Sequence, residues 1–260
     1  PVLEIFKTKH ANRADKRTPF AGLQCEACHG PGAKHVEGGG DKNAINSFKD
    51  SSFLTAEQRN KFCLTCHEGE ARIGWHASKH ATNQVACTSC HKLHAAHDPV
   101  REKTTEAGVC YQCHREQRAE FNRPSTHPVR FGRLACSDCH QPHGSNTAAM
   151  LAKPTINQTC YTCHAEKRGP FLWEHAPVAE NCALCHGPHG TTRPALLVKT
   201  PPLLCQQCHS AAGHPAVART GAALPGGGGV GAGFVLAGSC TNCHSQVHGS
   251  NHPSGVKLMR

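Results

Sequence analysis

Eighteen cysteines in a chain of 260 residues fall into nine Cys-x-x-Cys pairs, and a histidine follows every pair at once. The nine are Cys25, Cys28 and His29; Cys63, Cys66 and His67; Cys87, Cys90 and His91; Cys110, Cys113 and His114; Cys136, Cys139 and His140; Cys160, Cys163 and His164; Cys182, Cys185 and His186; Cys205, Cys208 and His209; and Cys240, Cys243 and His244. Zinc ribbons and thioredoxin-like pairs use two cysteines at this spacing but do not need the histidine. Chance placement of one of the 22 histidines after all nine pairs is on the order of 10⁻¹⁰. The chemistry that needs all three residues is covalent haem attachment: two thiols add to the two vinyl groups of one haem, and the adjacent imidazole then lies under the iron as proximal ligand. No cysteine remains for a disulfide.

A haem iron has a second axial position, filled by His, by Met, or by a substrate. The chain has only Met150 and Met259, so methionine serves two haems at most, whereas thirteen histidines lie outside the motifs. Laid against the motifs, these histidines reveal a two-haem repeat. A first motif comes without a trailing histidine; then a lone histidine; then a second motif with a histidine three or four residues beyond it. Complete copies begin at Cys63 (lone His80, second motif at Cys87, trailing His94), at Cys110 (His127, Cys136, His143), at Cys160 (His175, Cys182, His189) and, with irregular spacing, at Cys205 (His214, Cys240, His248). The N-terminal stretch holds half a copy, with lone His10, a motif at Cys25 and trailing His35. Its missing first motif leads us to expect a tenth haem site upstream of Pro1, and the ten distal candidates exceed the nine motifs by one. His76, His97 and His252 fall outside this scheme and read as solvated or propionate-bonded side chains, although His76 competes with His80 and His252 with His248. A trailing histidine lies so near its own motif that a neighbouring haem is the better target.

These motifs need elements to hold them, and the sequence predicts short helices joined by loops rich in the 25 Gly and 17 Pro, with little or no β-sheet. Thr55 to Gln58 and Thr155 to Gln158 have capping-box spacing just before motifs, which places those motifs on helices. Residues 104–121 read as a further helix. The expected fold is a mostly irregular multihaem c-type cytochrome in one elongated domain wrapped around a chain of haems, with copies at about 1–50, 51–100, 101–150, 151–198 and 199–260. The segment from Gly221 to Gly238 reads as a flexible spacer in the last copy.

Thirteen aromatic residues and 38% hydrophobic residues make a thin core, which haem faces can supplement. Folding should therefore depend on haem attachment. The polypeptide carries +10, but each ferric bis-histidine haem with two propionates adds about −1, which nearly cancels it. With scattered lysines and arginines as propionate partners, nucleic acid is a poor candidate partner. No run of 18 or more apolar residues occurs, and covalent haem of this kind implies a periplasmic or more external destination.

The stretches LQCEACHGPGAKH (23–35), CYTCHAEKRGPFLWEHAPVAENCALCHGPHG (160–190), LCQQCH (204–209) and CTNCHSQVHGSNHPSG (240–255) closely resemble the MtrA/DmsE family of decahaem cytochromes, whose iron-oxidising relatives are called MtoA and PioA. The resemblance covers essentially the whole chain, with nine motifs here against the family's ten. It implies a periplasmic cytochrome inserted in a porin-like, MtrB-like outer-membrane β-barrel, a closed structure able to shield a polar, haem-rich plug from lipid. It also implies soluble periplasmic electron-transfer proteins as partners on one side and, on the other, an outer-surface multihaem cytochrome, mineral or other terminal acceptor or donor. Metal reduction and Fe(II) oxidation are the two directions of flow. Two further readings stand beside this electron-carrying one: a multihaem reductase, which needs one open iron with acid–base groups beside it, and a soluble periplasmic shuttle without a barrel.

Overall fold

A Cys-x-x-Cys-His sequence can present two thiols and an imidazole to one plane only if it makes a single helical turn, because residues i, i+3 and i+4 then share a face. The computed structural model, which describes residues 2–209 and 240–260, builds its motifs this way. The histidine N–H donates to the carbonyl of the first cysteine at 2.8–3.0 Å in the eight motifs at Cys25, Cys87, Cys110, Cys136, Cys160, Cys182, Cys205 and Cys240. The ninth motif ends a longer helix. His214 and the segment Gly221 to Gly238 lie outside the described residues.

The described α-helices are short: α1 (Glu26–His29), α2 (Ala33–Glu37), α3 (Ala56–His67), α4 (Lys79–Thr82), α5 (Cys87–Cys90), α6 (Lys103–Cys110), α7 (Arg115–Glu120), α8 (Ile156–Tyr161) and α9 (Ala176–Glu180). Tighter 3₁₀ turns carry the motifs at Cys136, Cys182, Cys205 and Cys240. The described residues form no sheet, only isolated bridges such as His140 with Leu151 and His186 with Leu197.

The helix starts follow the capping chemistry. Thr55 accepts from the Gln58 N–H while Gln58 returns a bond to the Thr55 N–H, and α3 runs twelve residues through the whole motif. Thr155 likewise accepts from the Gln158 N–H, but α8 stops at Tyr161 and holds only the first cysteine of its motif. The helix expected over 104–121 is two helices, α6 and α7. The motif's own turn ends the first: His114 N–H bonds Cys110 O, and Arg115 N–H bonds Cys113 O at 3.0 Å.

The chain divides into two compact units, Pro1–Arg115 with Pro128–Ala152, and Glu116–His127 with Lys153–Arg260. Neither has an ordinary core. Among the described residues the buried apolar side chains of the first unit are Phe20, Ala56, Trp75, Ala86, Ala107, Val129 and Ala135, and that of the second is Phe121. As many polar side chains are buried, including Asn60, Glu106 and Asn157. Large apolar side chains lie outside instead, with Ile73 at 82% and Phe131 at 77% exposure. A domain this size normally inverts that distribution.

Candidate haem-binding sites

No disulfide joins any of the eighteen cysteines, which leaves their sulfurs for haem attachment. Thiols from adjacent motifs lie beside one another. The Cys63 sulfur lies close to that of Cys87, Cys110 to Cys136 and Cys205 to Cys240. Between copies, Cys28 is pushed up by burial and then by Cys66, Cys90 by burial and then by Cys110 and Cys113, and Cys185 by burial and then by Cys208. Within each unit, attachment points therefore follow one another in sequence order.

One buried side chain a turn before a first motif fixes its distance from the second. Asn60, on α3, donates through Nδ2 to Val85 O at 3.0 Å and accepts the Cys87 N–H at 2.7 Å. Asn157, on α8, donates to Val178 O and Ala179 O and accepts the Cys182 N–H at 2.8 Å. In the copy between them Glu106 does the equivalent work, accepting from Ser137 N at 2.8 Å and Ser137 Oγ at 2.7 Å. The grouping of Glu106 with Cys110 and Cys136, a metal-ion geometry on paper, belongs to this clasp. These residues were not among the sequence candidates, although the repeated Asn-x-x-Cys at 60–63 and 157–160 is their signal. Asn157→Leu is expected to keep all haems but to destabilise its unit by about 1–3 kcal/mol for each stranded buried group, seen as faster amide exchange over 178–182.

Imidazoles meet in pairs. Ring centroids lie 5.9 Å apart for His10 and His67, 6.0 Å for His29 and His94, 6.1 Å for His80 and His114, and 6.1 Å for His91 and His143. In the second unit they are 6.4 Å apart for His127 and His164, 6.1 Å for His175 and His209, and 6.1 Å for His186 and His248. Two imidazoles binding one metal from opposite sides through Nε2 at about 2.0 Å have centroids about 6 Å apart, so each pair fits one iron. Each pair joins one motif histidine to one distal candidate, and each crosses a copy boundary. Lone His10, His80, His127 and His175 face the first motif of the next copy. Trailing His94, His143 and His248 face the second motif of the copy before.

The other ring nitrogen is held in turn, which sets the tautomer and leaves Nε2 for metal. Nδ1–H of lone His80, His127 and His175 donates to Pro142 O (2.8 Å), Pro188 O (2.7 Å) and Val247 O (3.0 Å), the carbonyls immediately before trailing His143, His189 and His248. A glycine follows each of these trailing histidines, and its positive φ is required: +117° at Gly144, +148° at Gly190 and +133° at Gly249. A Cβ there would strike the Gly74 carbonyl, the Glu120 carbonyl and the Phe171 ring respectively. The His-Gly step at these three trailing histidines is a second signal that sequence reasoning passed over.

Electrostatics favour the ligand form. Burial first, then a nearby positive group or imidazole, holds His10, His67, His94, His143 and His248 below the ordinary histidine value, so each is neutral at pH 7 with a lone pair to give. His35 donates through Nδ1 to Asp41 O at 2.7 Å, but the described residues bring no second imidazole to it. His189 bonds Glu120 Oε2 at 3.1 Å and its ring tilts against Phe121. The competing histidines behave differently. His252 Nδ1 accepts from Ser254 N–H at 3.2 Å, which puts the ring proton on Nε2, while exposed His76 faces Glu68 at 3.8 Å and exposed His97 faces Glu102 at 3.2 Å.

The exposed apolar side chains, the paired imidazoles and the buried Arg59 Nε, which has no acceptor among the described residues, together suit a macrocycle with two faces and two propionates. No described helix is long and apolar enough to cross a membrane.

Comparison with known proteins agrees. The doubled CXXCH motif family matches residues 127–169 and 175–214, and the family of cytochrome c-type protein NrfB-like sequences matches residues 25–107. The multiheme cytochrome MtrA of Shewanella baltica (strain OS185) is 51% identical over 259 residues, which is 100% of this chain and 77% of that protein. The cytochrome c-type protein NrfB of Escherichia coli O6:H1 is 31% identical over 135 residues, 50% of this chain and 69% of its own. That of Haemophilus influenzae is 27% identical over 125 residues, 43% of this chain and 54% of its own. Motifs, fold and full-length likeness converge: the chain belongs to the MtrA family of multihaem c-type cytochromes, electron carriers rather than enzymes, with haem c bound covalently at its Cys-x-x-Cys-His motifs.

Proposed function

We propose that the seven imidazole pairs are axial ligand pairs and that the chain carries electrons along its attachment points, in sequence order within each unit, between the periplasm and the cell exterior through a porin-like outer-membrane barrel. The observation that carries the reading is the pairing itself. Imidazoles facing each other at 5.9–6.4 Å close an iron on both sides, which shuts out substrate and suits one-electron exchange. Haem c supplies the Fe(III)/Fe(II) couple, and bis-histidine ligation keeps it low compared with His/Met ligation.

The polypeptide's part is spacing and rigidity. The Asn60, Glu106 and Asn157 clasps fix the distance within a copy, and the Nδ1 bonds of His29, His80, His91, His127, His175 and His186 hold those rings against rotation. The relative's name, multiheme cytochrome MtrA, and its coverage of the whole chain support the barrel route and the periplasmic location. Periplasmic electron carriers on one side and an outer-surface multihaem cytochrome, mineral or soluble iron on the other are the proposed partners.

The test is transmembrane conduction. Vesicles of neutral phospholipid enclosing a reduced viologen dye, with the haem-loaded cytochrome and its porin-like barrel inserted together, should bleach when ferric citrate is added outside. Bleaching by the barrel alone, or none with both, would overturn the conduit reading.

A further inference from the structure

Five motif histidines begin with the same covalent attachment, as proximal residues of second motifs, and differ in what receives their Nδ1 proton. Four donate to a backbone carbonyl: His29 to Asn46 O at 2.7 Å, His140 to Ala149 O at 2.8 Å, His186 to Ala195 O at 2.7 Å and His244 to Lys257 O at 2.6 Å. The fifth, His91, donates to a carboxylate, Asp98 Oδ2, at 2.7 Å. Asp98 is well placed to act. Its side chain is only 18% exposed, its other oxygen accepts the Lys92 N–H at 3.1 Å, and its own carbonyl accepts the Arg101 N–H at 2.9 Å, so the carboxylate is aimed at the ring from a fixed turn.

From this contrast we infer that Asp98 lowers the potential of the haem attached at Cys87 and Cys90. A carboxylate on Nδ1–H pulls the imidazole toward imidazolate, raises its basicity toward iron and favours Fe(III) over Fe(II); a carbonyl does so more weakly. The half-buried site preserves the effect that solvent would screen at the surface. Adding one electron converts Fe(III) to Fe(II), the form that the carboxylate disfavours. Electrons crossing this point in either direction therefore do not dwell there.

The inference rests on His91 and His143 as an axial pair, and the experiment separates the two. Asp98→Asn keeps an oxygen acceptor and removes the charge. In a redox titration of the haem-loaded protein, followed by visible absorption and by low-temperature electron paramagnetic resonance, one wave near the bottom of the range is expected to move up. A tenfold loss of ferric preference reads as about 59 mV for one electron, and tenfold or more is expected. Asp98→Glu should restore the wild-type wave. The inference is overturned if no wave moves, if all move together, or if both variants lose a haem, since Asp98 would then hold the site rather than tune it. Failure of the axial pairing would instead show as a high-spin iron in the wild type.

Discussion

His248→Ala is expected to turn one iron, and one only, from low-spin to high-spin and to give one carbon monoxide adduct per molecule on reduction. The ring of His248 lies 6.1 Å from that of His186 with the planes 13° apart, and no other described imidazole is stacked against His186. Its removal opens the sixth position of the haem held by Cys182 and Cys185. His252→Ala, four residues on, is expected to leave every iron closed, because its Nδ1 accepts from Ser254 and its Nε2 keeps the proton. Electron paramagnetic resonance at low temperature, with carbon monoxide titration, checks both. An adduct in the His252 variant and none in the His248 variant would reverse the assignment. In the wild type, near-parallel rings such as His91 with His143 (9°) and crossed rings such as His29 with His94 (84°) should give two classes of low-spin signal, since parallel planes split the iron d orbitals additively and crossed planes cancel.

A second large effect concerns folding. A chain made without haem attachment is expected to be digested throughout by a protease that leaves the loaded protein intact, and to lose the far-ultraviolet signal of its helices. The described residues bury eight apolar side chains, four of them alanine, and the longest helix has twelve residues; helices shorter than about 12–15 residues are marginal alone. Ligand binding energy must supply what packing does not. The local version is Cys182→Ala with Cys185→Ala: one haem fewer, and cleavage concentrated between 175 and 198. A normal haem count would remove that site, and a haem-free chain as resistant as the loaded one would overturn the folding argument.

What the sequence made legible was covalent and local. The position of each attachment site follows from chain chemistry that leaves no freedom in spacing, and the absence of a sheet among the described residues followed from the absence of alternating apolar runs. The two-copy rhythm of motif, lone histidine, motif and trailing histidine was equally visible. Partner choice was not. His94 faces His29 from 65 positions away along the chain, and His10 faces His67 from 57; no local propensity encodes such distances. What separates His80 from His76, and His248 from His252, is which ring meets a motif histidine, and that depends on backbone arriving from elsewhere. The expected helix over 104–121 broke where a motif imposed its own turn. The asparagine clasps and His-Gly steps were present as repeats, but they read as ordinary polar and turn residues until contacts gave them partners.

The pairing across copies bears on how such proteins change length. Lone histidines point one copy forward and trailing histidines one copy back, and nothing in that rule refers to the total number of copies. A gene duplication spanning equivalent points of two neighbouring copies, roughly 45 to 50 residues given first motifs at Cys63, Cys110, Cys160 and Cys205, leaves every paired imidazole with an equivalent partner. Duplication of a single motif strands two. Lineages built on this plan should therefore gain and lose haems in even steps.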